Sequence, residues 1–385
     1  MPLSPESICV NSEIGNDATF GAVTPPLYLS STYKFPGLDN MGVYDYGRGG
    51  NPNRDALAKT VAAMEGGAGA VVTSSGMAAI DLALNLVGQG QLVIAPHDCY
   101  GGTYRLLLAR QEQGRFRVDF VDQNSERALE RAFDEKPALV LIETPSNPLM
   151  RVVDIAAITK AAHDVGALVV CDNTFLSPVR QLPLSLGADI VVHSSTKYIN
   201  GHSDVVGGIV VAGTDALAEK LAWWANCTGV TGAPFDSFLT LRGLRTLSAR
   251  MDAQESNAQK IAAFLESHAQ VDKVYYPGLK SNPGYELAQR QQSGPGAMLS
   301  FDLKGGRANL PAFLKDTGVF QFAESLGGTE SLLCHPASMT HRAMDDAAQN
   351  RAGIGAGLLR LSVGLEHSGD QIAALRTMFA NAEKG

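Results

Sequence analysis

Paired cysteines are missing from this chain. Its five, Cys9, Cys99, Cys171, Cys227 and Cys334, stand far apart and form no CxxC motif. That spacing speaks against a structural zinc site and a disulfide framework; no metal is expected, and reduced, cytoplasmic thiols fit best. Blocks of Lys or Arg are missing too. With 18% charged residues and a net charge of −8, the chain lacks the clustered positive charge that phosphate backbones require, so no nucleic-acid partner is expected. The longest apolar runs are strand-sized, which gives no membrane span. MPLSPESICVNSE has no basic flank leading into an apolar stretch, so no secretory signal is expected. No strand-like run precedes GxGxxG with a later acid, which argues against a nicotinamide dehydrogenase, and GIGAG at 353–357 reads as a loop.

What the chain does have is apolar material: 45% of 385 residues, enough for a large α/β core. The strand candidates are AVVT (70–73), LVIA (92–95), RVDFV (117–121), ALVLIE (138–143), ALVVCD (167–172), DIVVHS (189–194) and GIVVAG (208–213). Between them AAIDLALNLV (78–87) and DIAAITKAAHDV (154–165) have helical spacing. Apolar strands separated by helices imply an α/β fold with a mostly parallel sheet flanked by helices. Residues 1–57, rich in Pro, Gly, Asn and Tyr, read as an irregular arm, and 58–245 as the large domain. From 246 to 385, MDAQESNAQKIAAFLESHA, VDKVYYPG, GAMLSFDL and LLRLSVGLE suggest a smaller α+β domain.

Open α/β sheets bind ligands at the carboxyl ends of their strands, which makes each strand end a candidate site. Ser74-Ser75-Gly76-Met77 leads into a helix, whose first amides suit a phosphate; a plain turn is the other reading. Asp172 ends an apolar run, either as an acid awaiting a cation or as a helix cap. Lys197 follows Ser194, Ser195 and Thr196 as a strand leaves the core. A partly dry lysine there can lose its proton and act as nucleophile or base, whereas a surface lysine would snorkel to water. Tyr100, in HDCYGG, covers a planar ligand or packs under a loop. A phosphate cradle, an acid for a pyridinium nitrogen, an aromatic cover and a reactive lysine are together the parts that hold pyridoxal phosphate.

DIVVHSSTKYINGHS (189–203) resembles the attachment signature of the Cys/Met-metabolism family of pyridoxal-phosphate enzymes. YGRGGNPNR (46–54), SSGMAAI (74–80), ETPSNP (143–148), CDNTF (171–175), AESLGG (323–328) and RLSVG (360–364) resemble it as well, so the similarity covers essentially the whole chain. The resemblance implies fold type I, the aspartate-aminotransferase-like architecture, with pyridoxal 5'-phosphate as cofactor. It implies that Lys197 carries the cofactor covalently and, once freed by the substrate amine, moves protons. Asp172 would keep the pyridine nitrogen protonated, Tyr100 would stack on the ring, and Gly76, Met77, Ser194 and Thr196 would bind phosphate, with Thr174 beside Asp172. Tyr46 and Arg48 would reach the phosphate of a neighbouring subunit, in a homotetramer built from two site-sharing dimers. Asn147, Ser325 and Arg360 would orient the amino-acid carboxylate and the cofactor.

Within the family, APHDCYGGTYRL (95–106), LAWWANCTGVTG (221–232) and FDSFLTLRGLRT (235–246) most resemble the bacterial γ-synthase branch. That implies γ-replacement of an O-acyl-L-homoserine by L-cysteine, giving L-cystathionine and the free acid, a trans-sulfuration step toward methionine. Asp45 and Glu324 would contact substrate amino groups. Arg105 would take the distal carboxylate of a succinyl donor, or is a helix-surface charge. One departure bears on the donor: the pattern has a second arginine after position 48 and a serine before it, where this chain has Gly49 and Gly47. Succinyl is favoured and acetyl stays open. A γ-lyase cleaving cystathionine shares nearly all these residues; a sulfhydrylase of O-acetylhomoserine and a non-catalytic ligand sensor on the same fold are weaker rivals. His97, His202, His335 and His341 lack metal or triad spacing and read as structural or polar-lining. Trp223 and Trp224 read as packing near a subunit contact.

Overall fold

The computed structural model describes residues 3–384. All seven strand candidates form strands: β1 (Gly69–Thr73), β2 (Leu92–Pro96), β3 (Arg117–Val121), β4 (Leu139–Glu143), β5 (Leu168–Asp172), β6 (Ile190–His193) and β7 (Gly208–Ala212). They make one sheet in the order β1-β7-β6-β5-β4-β2-β3. β2, β4 and β7 are buried along their whole length, hence their unbroken apolar sequence. β3 is an edge strand: Arg117 and Asp119 are exposed, Val118 and Phe120 half-buried, and Val121 buried.

Six strands point the same way, and β7 opposes both its neighbours. The sheet is thus mostly parallel, as expected, with one reversed strand. The reason is local: 194–207 joins β6 to β7 without a helix, and a parallel return needs a crossover element. The consequence is that this link, with Lys197 on it, stays at the sheet's carboxyl edge.

Helices Gly76–Leu84, Gly101–Glu112, Glu126–Asp134 and Ile155–Asp164 return the chain between parallel strands. Ser75, Ser125 and Asp154 cap three of them, each accepting from the amide three residues on. The helix expected over 78–87 stops at Leu84, because Asn85, Leu86 and Val87 close in tighter turns onto Leu82, Ala83 and Leu84. Alternate strand residues bury opposite faces. Val170, Ile190, Val192 and Val210 pack with Ile80, Leu82 and Leu107. Val191, Ile209 and Val211 share a cluster with Leu57, Val61 and Leu241.

The arm is less irregular than its composition suggests. Pro5–Asn11 is a helix, and a second helix, Pro52–Glu65, begins inside the segment read as loop. NPNR held that signal: Asn51 caps by accepting from the Asn53 and Arg54 amides, and Pro52 takes the first helical position. Between those helices only isolated bridges, Thr32 to Tyr46 and Gly37 to Asn40, interrupt the loop.

A second sheet comprises β8 (Val271–Tyr275), β9 (Met298–Leu303), β10 (Gln321–Phe322), β11 (Leu332–Cys334) and β12 (Leu358–Ser362), in the order β10-β11-β12-β9-β8. Helices Leu247–Glu266 and Ser368–Lys384 cover it, with Leu265, Leu375 and Phe379 packed among Phe301 and Phe313. Leu241, Leu244, Leu247 and Met251 belong to that same apolar cluster, so packing runs unbroken from the first sheet to the second. Among the described residues no helix is long and apolar enough to cross a membrane.

Candidate active site

Two acids end adjacent strands. Glu143 of β4 and Asp172 of β5 are register partners at the carboxyl edge. Asp172 Oδ1 accepts from the Thr174 amide at 3.0 Å and the Thr174 hydroxyl at 2.5 Å, and both bonds fall on the same oxygen. Burial raises the Asp172 carboxyl above the usual carboxylate range, against the pull of those two bonds. Glu143 rises well above its ordinary value, first through burial and then through the Asp172 charge. Two carboxyl groups on one dry edge make a place that gains when a cation arrives.

Beside them the helix Gly76–Leu84 opens toward the same edge. Ser75 Oγ is taken by the Ala78 amide at 3.1 Å, and the amides of Gly76 and Met77 have no preceding turn to bond to. Position 76 must be glycine at this approach, since a Cβ there would lie 2.7 Å from Ser194 Cβ. The Ser194 amide donates to Thr174 Oγ1 at 2.9 Å, which ties the Lys197 loop to the Asp172 turn. Tyr100 lies over Gly102 next to Met77: a Cβ on Gly102 would be 2.5 Å from the Tyr100 ring and 2.9 Å from Met77 sulfur. Thr196 lies one residue before Lys197 and bonds across the loop. Its hydroxyl donates to the Gly207 carbonyl at 3.1 Å and accepts the Gly207 amide at 3.0 Å, so it braces the loop.

Lys197 Nζ donates to Ser325 Oγ at 2.8 Å. Its pKa is lowered to about 8, chiefly by burial, then by the Arg360 cation, with Glu324 pulling the other way. Ser325 sits at φ +90°, a strained conformation for a side-chain-bearing residue, which aims its hydroxyl and its carbonyl at two different partners. That carbonyl accepts Arg360 Nη2 at 3.0 Å, and Arg360 Nη1 donates to Asn147 Oδ1 at 2.8 Å. Arg360 is 2% exposed on β12, and its Nε has no partner. Among the described residues it forms no ion pair, and its guanidinium bonds neutral oxygens. A buried guanidinium in this state fits an incoming carboxylate.

Other expected residues lie apart. Tyr46 and Arg48 are exposed on the arm, with the Arg48 guanidinium 5.7 Å from the Tyr46 ring and its Nη1 donating to the carbonyl and side chain of Asn226 at 2.6 Å. Asp45 is half-buried beside them and accepts the Tyr46 amide. Glu324 is exposed but close enough to act on Lys197, while Arg105 is exposed on the helix Gly101–Glu112. A Cβ on Gly49 would make only ordinary contacts, the nearest being Tyr46 O at 3.5 Å; one on Gly47 would press on Ser31 Cα at 3.1 Å. The backbone thus admits a side chain at 49 more easily than at 47.

Sequence reasoning passed over Glu143, although an acid ending an apolar run was the very signal used for Asp172. His341 is buried, as expected of a polar-lining histidine, and its Nε2 bonds the Asn147 carbonyl at 2.9 Å. Burial and then Arg360 push it down to about 3, so it stays neutral.

Known proteins resemble this chain along nearly its whole length. The model of the family described as Cys/Met metabolism PLP-dependent enzyme matches residues 6–380. The cystathionine gamma-synthase of Escherichia coli (strain K12) is 53% identical over 98% of each chain. A crystal structure of cystathionine gamma synthase from Xanthomonas oryzae pv. oryzae in complex with cystathionine superposes with a TM-score of 0.99, at 53% identity and covering 100% of each chain. A cystathionine gamma-lyase of Bacillus subtilis (strain 168) is similar at 43%, over 95% of this chain and 96% of its own.

Proposed function

The chain belongs to the Cys/Met metabolism family of PLP-dependent enzymes, and on that premise we propose that it carries out the cystathionine γ-synthase reaction. An O-acyl-L-homoserine and L-cysteine give L-cystathionine and the free acid. One observation carries the reading: Ser325 holds the Lys197 amine with its hydroxyl and the unpaired Arg360 guanidinium with its carbonyl, so a base and a carboxylate anchor are one residue apart. The higher identity to γ-synthases than to a γ-lyase supports replacement over elimination.

The residues present fit pyridoxal phosphate. Asp172, with both recorded bonds on one oxygen, would face the ring nitrogen; Tyr100 would cover the ring; the Gly76 and Met77 amides and Ser194 would hold the phosphate. When bound, the cofactor supplies an aldehyde that condenses with amines and a ring that spreads negative charge from the substrate carbons. Arg360 and Asn147 bind the α-carboxylate and fix the donor's Cα. Lys197 Nζ, lowered to about 8, is neutral in a useful fraction near neutral pH, takes the Cα proton, moves one at Cβ, and returns them after cysteine sulfur replaces the acyl group at Cγ. Asp45 and Glu324 face the amino groups, and Arg105 takes the distal carboxylate of a succinyl donor.

Tyr46 and Arg48 serve a neighbouring subunit's phosphate in a homotetramer, a reading supported by the exposed apolar arm that carries them. Five free thiols suit work in a reducing cytoplasm. The test is donor competition on purified enzyme with cysteine fixed. O-succinylhomoserine is expected to outcompete O-acetylhomoserine, and cystathionine formation to exceed 2-oxobutanoate release from cystathionine. The reverse ranking of formation and release overturns the assignment.

A further inference from the structure

Glu143 takes no part in the chemistry above, yet its two oxygens serve two different pieces of the site. Oε2 accepts the Tyr100 amide at 3.0 Å and Oε1 accepts the Asn147 amide at 2.9 Å. Tyr100 opens the helix Gly101–Glu112 and carries the aromatic cover. Asn147 carries the amide oxygen that Arg360 grips, and Arg360 in turn holds the Ser325 carbonyl. Asn147 is also fixed from its other side by His341, whose neighbour Thr340 packs its carbonyl against Gly101. The path Tyr100, Glu143, Asn147, Arg360, Ser325, Lys197 is thus continuous in hydrogen bonds.

An acid is a costly group to bury at a strand end next to Asp172. Two convergent N–H donors explain it, because they need two acceptor oxygens on one short side chain. A carboxyl group offers two; an amide offers one. Resting on the reaction proposed above, we infer that Glu143 is a positioning residue: it bridges the Tyr100 and Asn147 amides and so sets the aromatic cover in register with the clamp on the substrate α-carboxylate. It touches neither reactant and acts through those two residues.

The experiment compares wild-type and Glu143→Gln holoenzyme. Glutamine keeps the size and one acceptor but sets an NH2 group against the other N–H. KM for the acyl-homoserine is expected to rise roughly tenfold, the upper end of what one lost hydrogen bond contributes, with a smaller change in kcat. The visible circular dichroism of the bound cofactor, which reports how rigidly Tyr100 seats it, is expected to fall while a cooperative thermal transition remains. Combined with Asn147→Ala, the variant is expected to add little further to KM, since both changes break one linkage. A KM or a cofactor signal within about twofold of wild type, or full additivity, overturns the inference. So does loss of the cooperative transition in the variant, which would make Glu143 a core residue. Wild-type protein that binds the cofactor yet makes no cystathionine sinks the proposed reaction instead, and there the dichroism of the variant still decides whether Glu143 positions Tyr100.

Discussion

The arm and the strand edge are built on opposite principles. At the edge, Asp172, Ser194, Lys197, Ser325, Arg360 and Asn147 are tied by short bonds within one chain. On the arm, Phe20 is 90% exposed and Leu38 96%, with Val23, Leu29, Phe35 and Val43 also open to water. Exposed apolar side chains in that number suit contact with another surface. The difference teaches that the reacting groups are held by bonds among buried neighbours, whereas Tyr46 and Arg48 sit on an exposed apolar segment, with Arg48 bonded to Asn226. It also divides the candidate site residues into those tied together at the strand edge and those exposed on the arm.

The largest effect should come from the edge. Lys197→Ala removes the only amine in that bonded set, and cystathionine formation is expected to fall about a thousandfold or more, as for loss of a general acid–base group. Undiminished turnover would end the mechanism. The comparison itself is broken or upheld by mixing variants. Lys197→Ala and Arg48→Ala protein, each impaired alone, are unfolded and refolded together. If Arg48 serves a neighbour's site, mixed assemblies regain sites with both groups intact, approaching about a quarter of wild-type activity at equal ratio. No recovery would mean that Arg48 acts within its own chain.

The same division explains what could be read from the sequence. Most strands of the first sheet were legible because a strand buried on both faces writes an unbroken apolar run, and edge strand β3 was legible by its alternation. The reversal of β7 was not, because direction is set by the link at 194–207, whose composition gives no sign of a missing helix. Asp172 and Lys197 were legible as polar residues at the ends of apolar runs, and Arg360 as a cation inside one. Their roles came from resemblance; their contacts come from the fold. Ser325 bonding two partners at once and Glu143 bridging two amides depend on residues far apart in sequence meeting at one edge, as the Asn147 and Arg360 side chains do, and no local pattern encodes that. The short strands β10 and β11 carry too few residues to show a period.

The smallest effect lies at the boundary of the two regimes, at exposed Glu324. Its carboxylate is the group that raises Lys197 against burial and Arg360. Removing it in Glu324→Gln should let the lysine fall further below about 8. A base is active when deprotonated, so a lower pKa moves the acid limb of the kcat profile to lower pH. The shift should be less than about one pH unit, because water screens an exposed charge. At pH 7 the variant then holds more neutral lysine than wild type and, with both substrates saturating, turns over faster on that limb. An acid limb that stays put, or moves to higher pH, would show that Glu324 does not act on Lys197 through charge. The pH-rate profile at saturating substrate makes that measurement, because kcat reports groups in the substrate complex, where the lysine amine is free.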